Sequence, residues 1–290
     1  MIFVACGMPR SGSLLQYNTA RLCLMLGGEI VVGMDTLEHA AVSPTFENAL
    51  ASQTWYVVHA HWFGHLSYLF KDFGNPILPV ERMVAAHSYR DPRDIVVSFC
   101  RFYGRVPADT FGNLVWAVQT HQRLSQFRQQ PWMLFQKYEC MIEDLRGAVL
   151  KMAFHLKRNG AFRFLGVYRI CEIAEEIMRQ CSIEEAVRRQ EKLLDASGQR
   201  GALASGKIPV AGLVYLSHEM TPQEQAELGL RDFKHRTFFH HVSPERGKPG
   251  AWRGVLDETA LARIEKIAGE YMHVEGYDVT EGDGHDSQRT

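Results

Sequence analysis

The chain has 290 residues, 46% of them hydrophobic, enough to bury a sizeable core and too long for a peptide-like module. Its 32 Lys and Arg stand against 33 Asp and Glu, so no global basic field favours nucleic acid or an anionic membrane, and any anion site must be local. The opening MIFVACGMPRSG lacks the charged and apolar regions of a signal peptide, and no apolar run approaches the ~20 residues that cross a bilayer. The cysteines at 6, 23, 100, 140, 171 and 181 form no CxxC pair or metal-ligand cluster. They suit a reduced, cytoplasmic compartment, most of them as small buried apolar residues.

In chain order, the apolar run Ile2 to Cys6 ends at Gly7, and a helical pattern starts near Ser13 with Leu14, Leu15, Leu22 and Leu26: strand, glycine loop, helix. WYVVHAH from Trp55 reads as a buried strand, followed by a helix-like stretch from Trp62 to Phe73. Met83 to Tyr89 is a third strand. After RDPRD, a helix takes in Ile95 to Tyr103, capped by Asp91 with Pro92 at its first position. A fourth strand is expected at Trp132 to Gln136, then a helix from about Ile142 to Leu156. Alternating strands and helices predict an α/β fold with a mostly parallel central sheet flanked by helices and ligands at the carboxyl ends of the strands, P-loop-NTPase-like in having a glycine loop after its first strand. The second half is more helical. Ser182 with Glu185, and Thr221-Pro222-Gln223-Glu224, have the spacing of capping boxes. Between them, the Gly-, Ala- and Ser-rich segment 196–213 reads as a mobile loop, either a plain connection or a lid. One domain over 1–279 and a polar, disordered tail over 280–290 complete the expected organisation.

Gly7 to Ser13, GMPRSGS, has the glycine spacing of a Walker A loop, which lets backbone N–H groups and a helix N-terminus converge on an anion. The ATP-specific parts are absent: Ser13 and Leu14 stand where Lys and a magnesium-binding hydroxyl belong. Arg10 supplies a cation inside the loop instead, and its planar fork can clamp phosphate or sulfate oxygens without metal. Arg90, at a strand end before a capped helix, and Ser98, in that helix's early turns, form a second candidate phosphate site. Near the C-terminus, Arg246, Lys248 and Arg253 lie among Gly247, Pro249 and Gly250, a basic loop anchored by Trp252.

Together these strings resemble the PAPS-dependent sulfotransferases, enzymes that use 3′-phosphoadenosine 5′-phosphosulfate and release PAP. GMPRSGS is similar to the family's 5′-phosphosulfate motif, which implies donor contacts at Arg10, Ser11, Gly12 and Ser13. YRDPRDIVVSFCRFYG resembles the 3′-phosphate motif, with its Arg and Ser at Arg90 and Ser98. ERGKPGAWRGVL resembles the C-terminal RxGxxGxW loop, placing contacts at Arg246, Gly247 and Lys248. KYECMIEDL is similar to the family's Tyr-Glu-Asp segment, which would set Tyr138 beside the adenine. The likeness runs from residue 1 to about 277, in the family's order.

There are departures. Leu14 lacks the motif's second hydroxyl, Leu15 replaces the aromatic that often follows, and Glu245 replaces a common Arg. His61 falls where many members carry the catalytic His, but the Lys usually two residues earlier is His59, so the base stays open between the two, with His61 preferred. The resemblance implies in-line sulfuryl transfer to an acceptor hydroxyl, with Arg10 and the loop amides steadying the leaving phosphate and PAPS as the co-substrate, no metal being expected. His59, His61 and His65 have no carboxylate or Cys at ligand spacing. The expected acceptor is a small molecule, glycan or lipid. Trp62, Phe63, Tyr68, Phe102, Phe111 and Trp116 are candidates for its pocket or for the core. Oligomeric state is not legible. The rival readings are a P-loop kinase or NTPase, and a non-catalytic nucleotide-binding protein of the same fold.

Overall fold

The computed structural model describes residues 1–34, 53–60, 70–71, 75–76, 80–182, 184–185, 187–188, 191, 195 and 247–277. Of the helix expected from Trp62 to Phe73 only Phe70–Lys71 is described, and it is strand rather than helix; the capping box at Thr221, the segment 196–213 and the tail 280–290 lie outside these residues. Phe70–Lys71 and Asn75–Pro76, labelled β4 and β5, form a short antiparallel pair.

Five parallel strands make the central sheet: β1 (Ile2–Cys6), β2 (Val31–Met34), β3 (Trp55–Ala60), β6 (Met83–Tyr89) and β7 (Met133–Lys137), in the order β2-β3-β1-β6-β7. The fold is the α/β arrangement expected from the sequence. β1 lies at the centre, with Ile2 opposite Tyr56 on one side and Met83 on the other. Its five residues are buried on both faces, which is why it reads as an unbroken apolar run.

Side-chain alternation sorts the strands onto two layers. Phe3, Ala5, Trp55, Val57, Val84 and Ala86 pack under α1 (Ser13–Leu26), α5 (Leu145–Arg158) and α6 (Val167–Cys181). Ile2, Val4, Cys6, Tyr56 and Val58 face the other way, where Leu124 of α3 (Phe111–Ser125) meets them. That layer is completed by α2 (Pro92–Tyr103) and α7 (Glu258–Val274), whose Ile95, Phe99, Ile264 and Tyr271 share a core with Met8. The chain leaves β1 toward β3 on one side, while β6 flanks β1 on the other. The carboxyl end of β1 is therefore a topological switch point, where open α/β sheets bind ligands.

Local chemistry fixes the helix ends. Asp91 accepts the Arg93 N–H at 2.9 Å and Pro92 opens α2, as the sequence indicated. The helix expected from about Ile142 is instead two pieces, α4 (Tyr138–Glu143) and α5. Asp144 divides them, accepting the Gly147 N–H at 2.8 Å as the cap of the second. Ser182 accepts the Glu185 N–H at 3.1 Å, the bond its capping-box spacing calls for. Of the six cysteines, Cys6 and Cys23 are buried, Cys140 is exposed and the others are intermediate, so the expectation that most are buried does not hold. Among the described residues no helix is long and apolar enough to cross a membrane.

Asp257 caps α7 by accepting the Ala260 N–H at 2.7 Å. Asp257→Ala should lower stability by about 1 kcal/mol, measured as a lower midpoint in urea with an unchanged slope.

Candidate active site

The loop between β1 and α1 is shaped by two glycines and one strained arginine. A Cβ on Gly7 would fall 2.2 Å from Ser88 Oγ and 2.5 Å from Ser13 Cβ, so only glycine fits between β6 and the helix start. The Met8 N–H donates to the Ser88 carbonyl at 2.9 Å. Ser11 is fully buried, and its hydroxyl lies 2.5 Å from the Met8 carbonyl, 2.8 Å from the Ser88 carbonyl and 3.0 Å from Ser88 Oγ. That hydroxyl points into the fold and ties the loop to β6. Gly12 and Arg10 both adopt left-handed backbone, with φ 87° and 64°. For Arg10 this costs of order 1 kcal/mol or more, a strain that surrounding structure must hold in place.

The holding group is Arg90. Its Nη1 donates to the Arg10 carbonyl at 3.2 Å and its Nη2 to the Gly247 carbonyl at 3.3 Å. Its guanidinium lies 4.1 Å from the centre of the Tyr138 ring and 3.7 Å from Asp94. Arg90 is 4% exposed, and its Nε is buried without a hydrogen-bond partner among the described residues. The Arg10 side chain lies over Phe102 at 4.2 Å and donates from Nε to Ser98 Oγ at 3.0 Å. Burial, and next the charge of Arg90, push the Arg10 guanidinium down to about 10. Two arginines, Arg90 buried and Arg10 half-buried, are thus crowded together, an arrangement that favours an anion.

The C-terminal loop docks on the same spot. Asp94 accepts the Gly250 N–H at 2.7 Å and the Trp252 N–H at 3.0 Å. Trp252 is buried between Arg93 and Arg253, whose guanidiniums lie 4.1 Å and 4.7 Å from its ring. Tyr138 fills the gap between the two glycine loops. Its hydroxyl donates to the Gly247 carbonyl at 2.9 Å, and a Cβ on Gly12 would fall 2.8 Å from its ring. Burial raises its phenol, keeping the hydroxyl a donor. Lys248 is exposed beside Gly247. Behind the site, Tyr271 donates its hydroxyl to the Arg90 carbonyl at 2.7 Å.

The structure therefore brings together Arg10, Ser11, Gly12, Ser13, Arg90, Ser98, Tyr138, Gly247 and Lys248 from five separate stretches. Tyr138 packs against Arg90 and both glycine loops. His59, on β3, is 7% exposed, with Nε2 3.0 Å from Ser13 Oγ and its ring edge-on to Tyr17. His61, His65, Arg246, Trp62, Phe63 and Tyr68 lie outside the described residues. Of the other aromatic candidates, Phe102 supports Arg10, Phe111 packs on the α2–α3–α7 core and Trp116 is 52% exposed. Sequence reading missed Asp94 and Tyr271. The i, i+4 spacing of Arg90 and Asp94 on RDPRD was a usable signal for the first; nothing in the sequence marks the second.

Gly247 has φ 70°, and a Cβ there would fall 2.1 Å from the Tyr138 hydroxyl, whereas Gly254, at φ 74°, has open space around it. Gly247→Ala should therefore destabilise the protein in urea clearly more than Gly254→Ala, which carries only the backbone penalty of about 1 kcal/mol.

No protein-family model matches the chain, and no curated protein sequence matches it. Among solved structures, retinol dehydratase in complex with androsterone and the inactive cofactor PAP aligns over 93% of this chain and 80% of its own, at 16% identity and a TM-score of 0.52. Retinol dehydratase with retinol and PAP covers the same shares at 17% identity and a TM-score of 0.52. A mouse sulfotransferase complexed with PAP aligns over 93% of this chain and 84% of its own, at 14% identity and a TM-score of 0.55. The chain has the fold of the PAP-bound sulfotransferases.

Proposed function

We propose that the chain is a cytoplasmic sulfotransferase that moves a sulfuryl group from PAPS to the hydroxyl of a small-molecule acceptor. The observation that carries this reading is the pair of guanidiniums, Arg90 buried and Arg10 half-buried, converging on a glycine loop that lacks the Walker Lys and hydroxyl. An ATP site would need those parts for magnesium. Here fixed cations would do the equivalent work, and the Nε of Arg90, without a hydrogen-bond partner among the described residues, would donate to a phosphate oxygen. The structural relatives bound to PAP support the choice of nucleotide, and the androsterone and retinol in two of them support an apolar alcohol as the acceptor class.

On this reading Arg10, Ser13 and the loop amides would hold the 5′-phosphosulfate, and Arg90 with Ser98 the 3′-phosphate. Gly247 and Lys248, with Arg246, would close over the phosphates, and Tyr138 would border the nucleotide. The acceptor oxygen forms a bond to sulfur as the sulfur–oxygen bond to the 5′-phosphate breaks. PAP leaves with the bond's electron pair, and a base takes the acceptor proton. Arg10 faces the oxygen on which charge develops, where preorganised cations are most effective. His59 already has its Nε2 engaged with Ser13 Oγ, which supports His61 as the base and His59 as the residue that holds the helix start.

Three substitutions test these roles in a purified enzyme assayed for sulfate transfer to a panel of alcohols. Arg10→Ala should abolish turnover; near-normal rates would remove Arg10 from the reaction. His61→Ala should lower kcat by about 10²- to 10⁴-fold, and activity lost in His59→Ala but kept in His61→Ala would reverse the assignment. Arg90→Ala should weaken PAP far more than adenosine 5′-phosphate, and equal weakening of both would contradict a 3′-phosphate site.

A further inference from the structure

Just past the end of β6, a single peptide unit joins Arg90 to Asp91. Its carbonyl belongs to Arg90, the candidate ligand for the second phosphate, and its N–H to Asp91, the cap of α2. Side chains from elsewhere in the fold hold both of its ends. Tyr271, on α7, donates its hydroxyl to the Arg90 carbonyl at 2.7 Å. On the opposite edge the Asp91 N–H donates to Glu139 Oε1 of α4 at 3.1 Å, and Tyr277, just beyond α7, donates to the other oxygen of Glu139 at 3.0 Å. A peptide unit is planar, so fixing its oxygen and its nitrogen together fixes the direction in which the chain leaves β6.

The register of α7 brings Tyr271 to this place. Ala260, Ile264, Ala268, Tyr271 and Met272 are its buried residues, at the spacing of one helical face. Tyr271 is 3% exposed, its ring edge-on to His121 at 4.8 Å between centres and 5.9 Å from that of Tyr277. A phenylalanine ring would fill the same space and would lack only the hydroxyl. That hydroxyl also lies 3.4 Å from the Met8 sulfur in the glycine loop. It has a single proton, and a carbonyl is a better acceptor than a thioether, so the proton goes to Arg90. Burial, and next the charge of Glu139, raise the phenol well above the usual tyrosine range, which keeps that proton in place.

Distances decide which contacts aim the Arg90 side chain. Its own hydrogen bonds are long, 3.2 Å to the Arg10 carbonyl and 3.3 Å to the Gly247 carbonyl, and Asp94 stands 3.7 Å away. These lie at or beyond the outer limit of a good N–H···O bond. The bonds on its backbone peptide are shorter, the one from Tyr271 most of all. Contacts this loose leave the direction of the guanidinium to the peptide from which it springs.

We propose that Tyr271 is a positioning residue for Arg90: through the Arg90–Asp91 peptide it aims the guanidinium at the nucleotide's 3′-phosphate, with Glu139 and Tyr277 holding the peptide's other edge. This role rests on the reading of the loop as a PAPS site. Calorimetric titrations of the full chain with PAP and with adenosine 5′-phosphate, in wild type, Tyr271→Phe, Arg90→Ala and the double variant, test it. Tyr271→Phe should weaken PAP about tenfold, the size of one well-made hydrogen bond, and adenosine 5′-phosphate less than about twofold. In the Arg90→Ala background the same change should weaken PAP no further, because Tyr271 acts through the guanidinium. Tyr168→Phe, on α6 over the sheet's other face and 80% exposed, should leave both affinities unchanged.

Unchanged PAP binding in Tyr271→Phe overturns the proposal. So does equal weakening of the two nucleotides, the mark of a general loosening, or an undiminished loss in the Arg90→Ala background. If Tyr271→Phe does not fold, Glu139→Gln decides by the same measure. Its amide offers one oxygen to two donors, so the Asp91 N–H or the Tyr277 hydroxyl loses its partner, and PAP should again weaken more than adenosine 5′-phosphate; equal weakening, or none, overturns the proposal. A wild-type chain that binds no PAP defeats the nucleotide reading and this role with it, whereas normal wild-type binding that Tyr271→Phe leaves unaltered defeats the role alone.

Discussion

The site depends on keeping two arginine side chains side by side, Arg90 buried and Arg10 half-buried. Guanidiniums do not shed their protons to escape burial, so the fold must surround them with compensating groups. It does so with carbonyls and ring faces more than with carboxylates. Arg90 reaches the carbonyls of Arg10 and Gly247 and lies on Tyr138, Arg10 lies on Phe102, and Asp94 stands 3.7 Å from Arg90. Carbonyl dipoles and aromatic quadrupoles attract a cation without neutralising it. The positive field therefore survives, with both charges held in place by the fold.

The same contacts hold the backbone. Arg90 joins the β1–α1 loop to the Gly247 loop, Asp94 fastens the latter to the first turn of α2, and Tyr138 fills the space between two glycines. Each is a side chain that fills the space between the two glycine loops or holds one of them in place. The left-handed backbone of Arg10, unfavourable for any residue but glycine, persists because its carbonyl is held. Packing on both faces of the sheet sets these parts at the carboxyl end of β1, and the α7 layer reaches the site from behind through Tyr271.

Much of this was legible in the sequence because it obeys short-range rules. β1, β6 and α2 are marked by apolar runs, a glycine stop, and an Asp-Pro start. β2 was missed: Val31–Met34 is short, includes Gly33, and leaves Val32 40% exposed, so it lacks the apolar run that marks a buried strand. Asp144 breaks an otherwise continuous helical pattern by capping a new helix from within it, which periodicity does not show. At the site, residue types pointed to Arg10, Arg90 and Ser98 as phosphate candidates and the resemblance to the PAPS-dependent sulfotransferases pointed to Tyr138 and Gly247, and the structure sets the five side by side. Direction was not legible. Only the backbone path turns the Ser11 hydroxyl inward, and only tertiary packing sets Tyr138 between two loops or brings Asp94 to the Gly250 and Trp252 amides.

Calorimetric titration of the intact protein with PAP, beside the same titration with adenosine 5′-phosphate, tests the central claim most directly. If Arg10 and Arg90 form two phosphate sites on one nucleotide, PAP binds without added metal and at least tenfold more tightly than the singly phosphorylated nucleotide, the second charge-assisted contact being worth about 1.5 kcal/mol or more. Equal affinity for the two, or no heat with PAP at all, would contradict it.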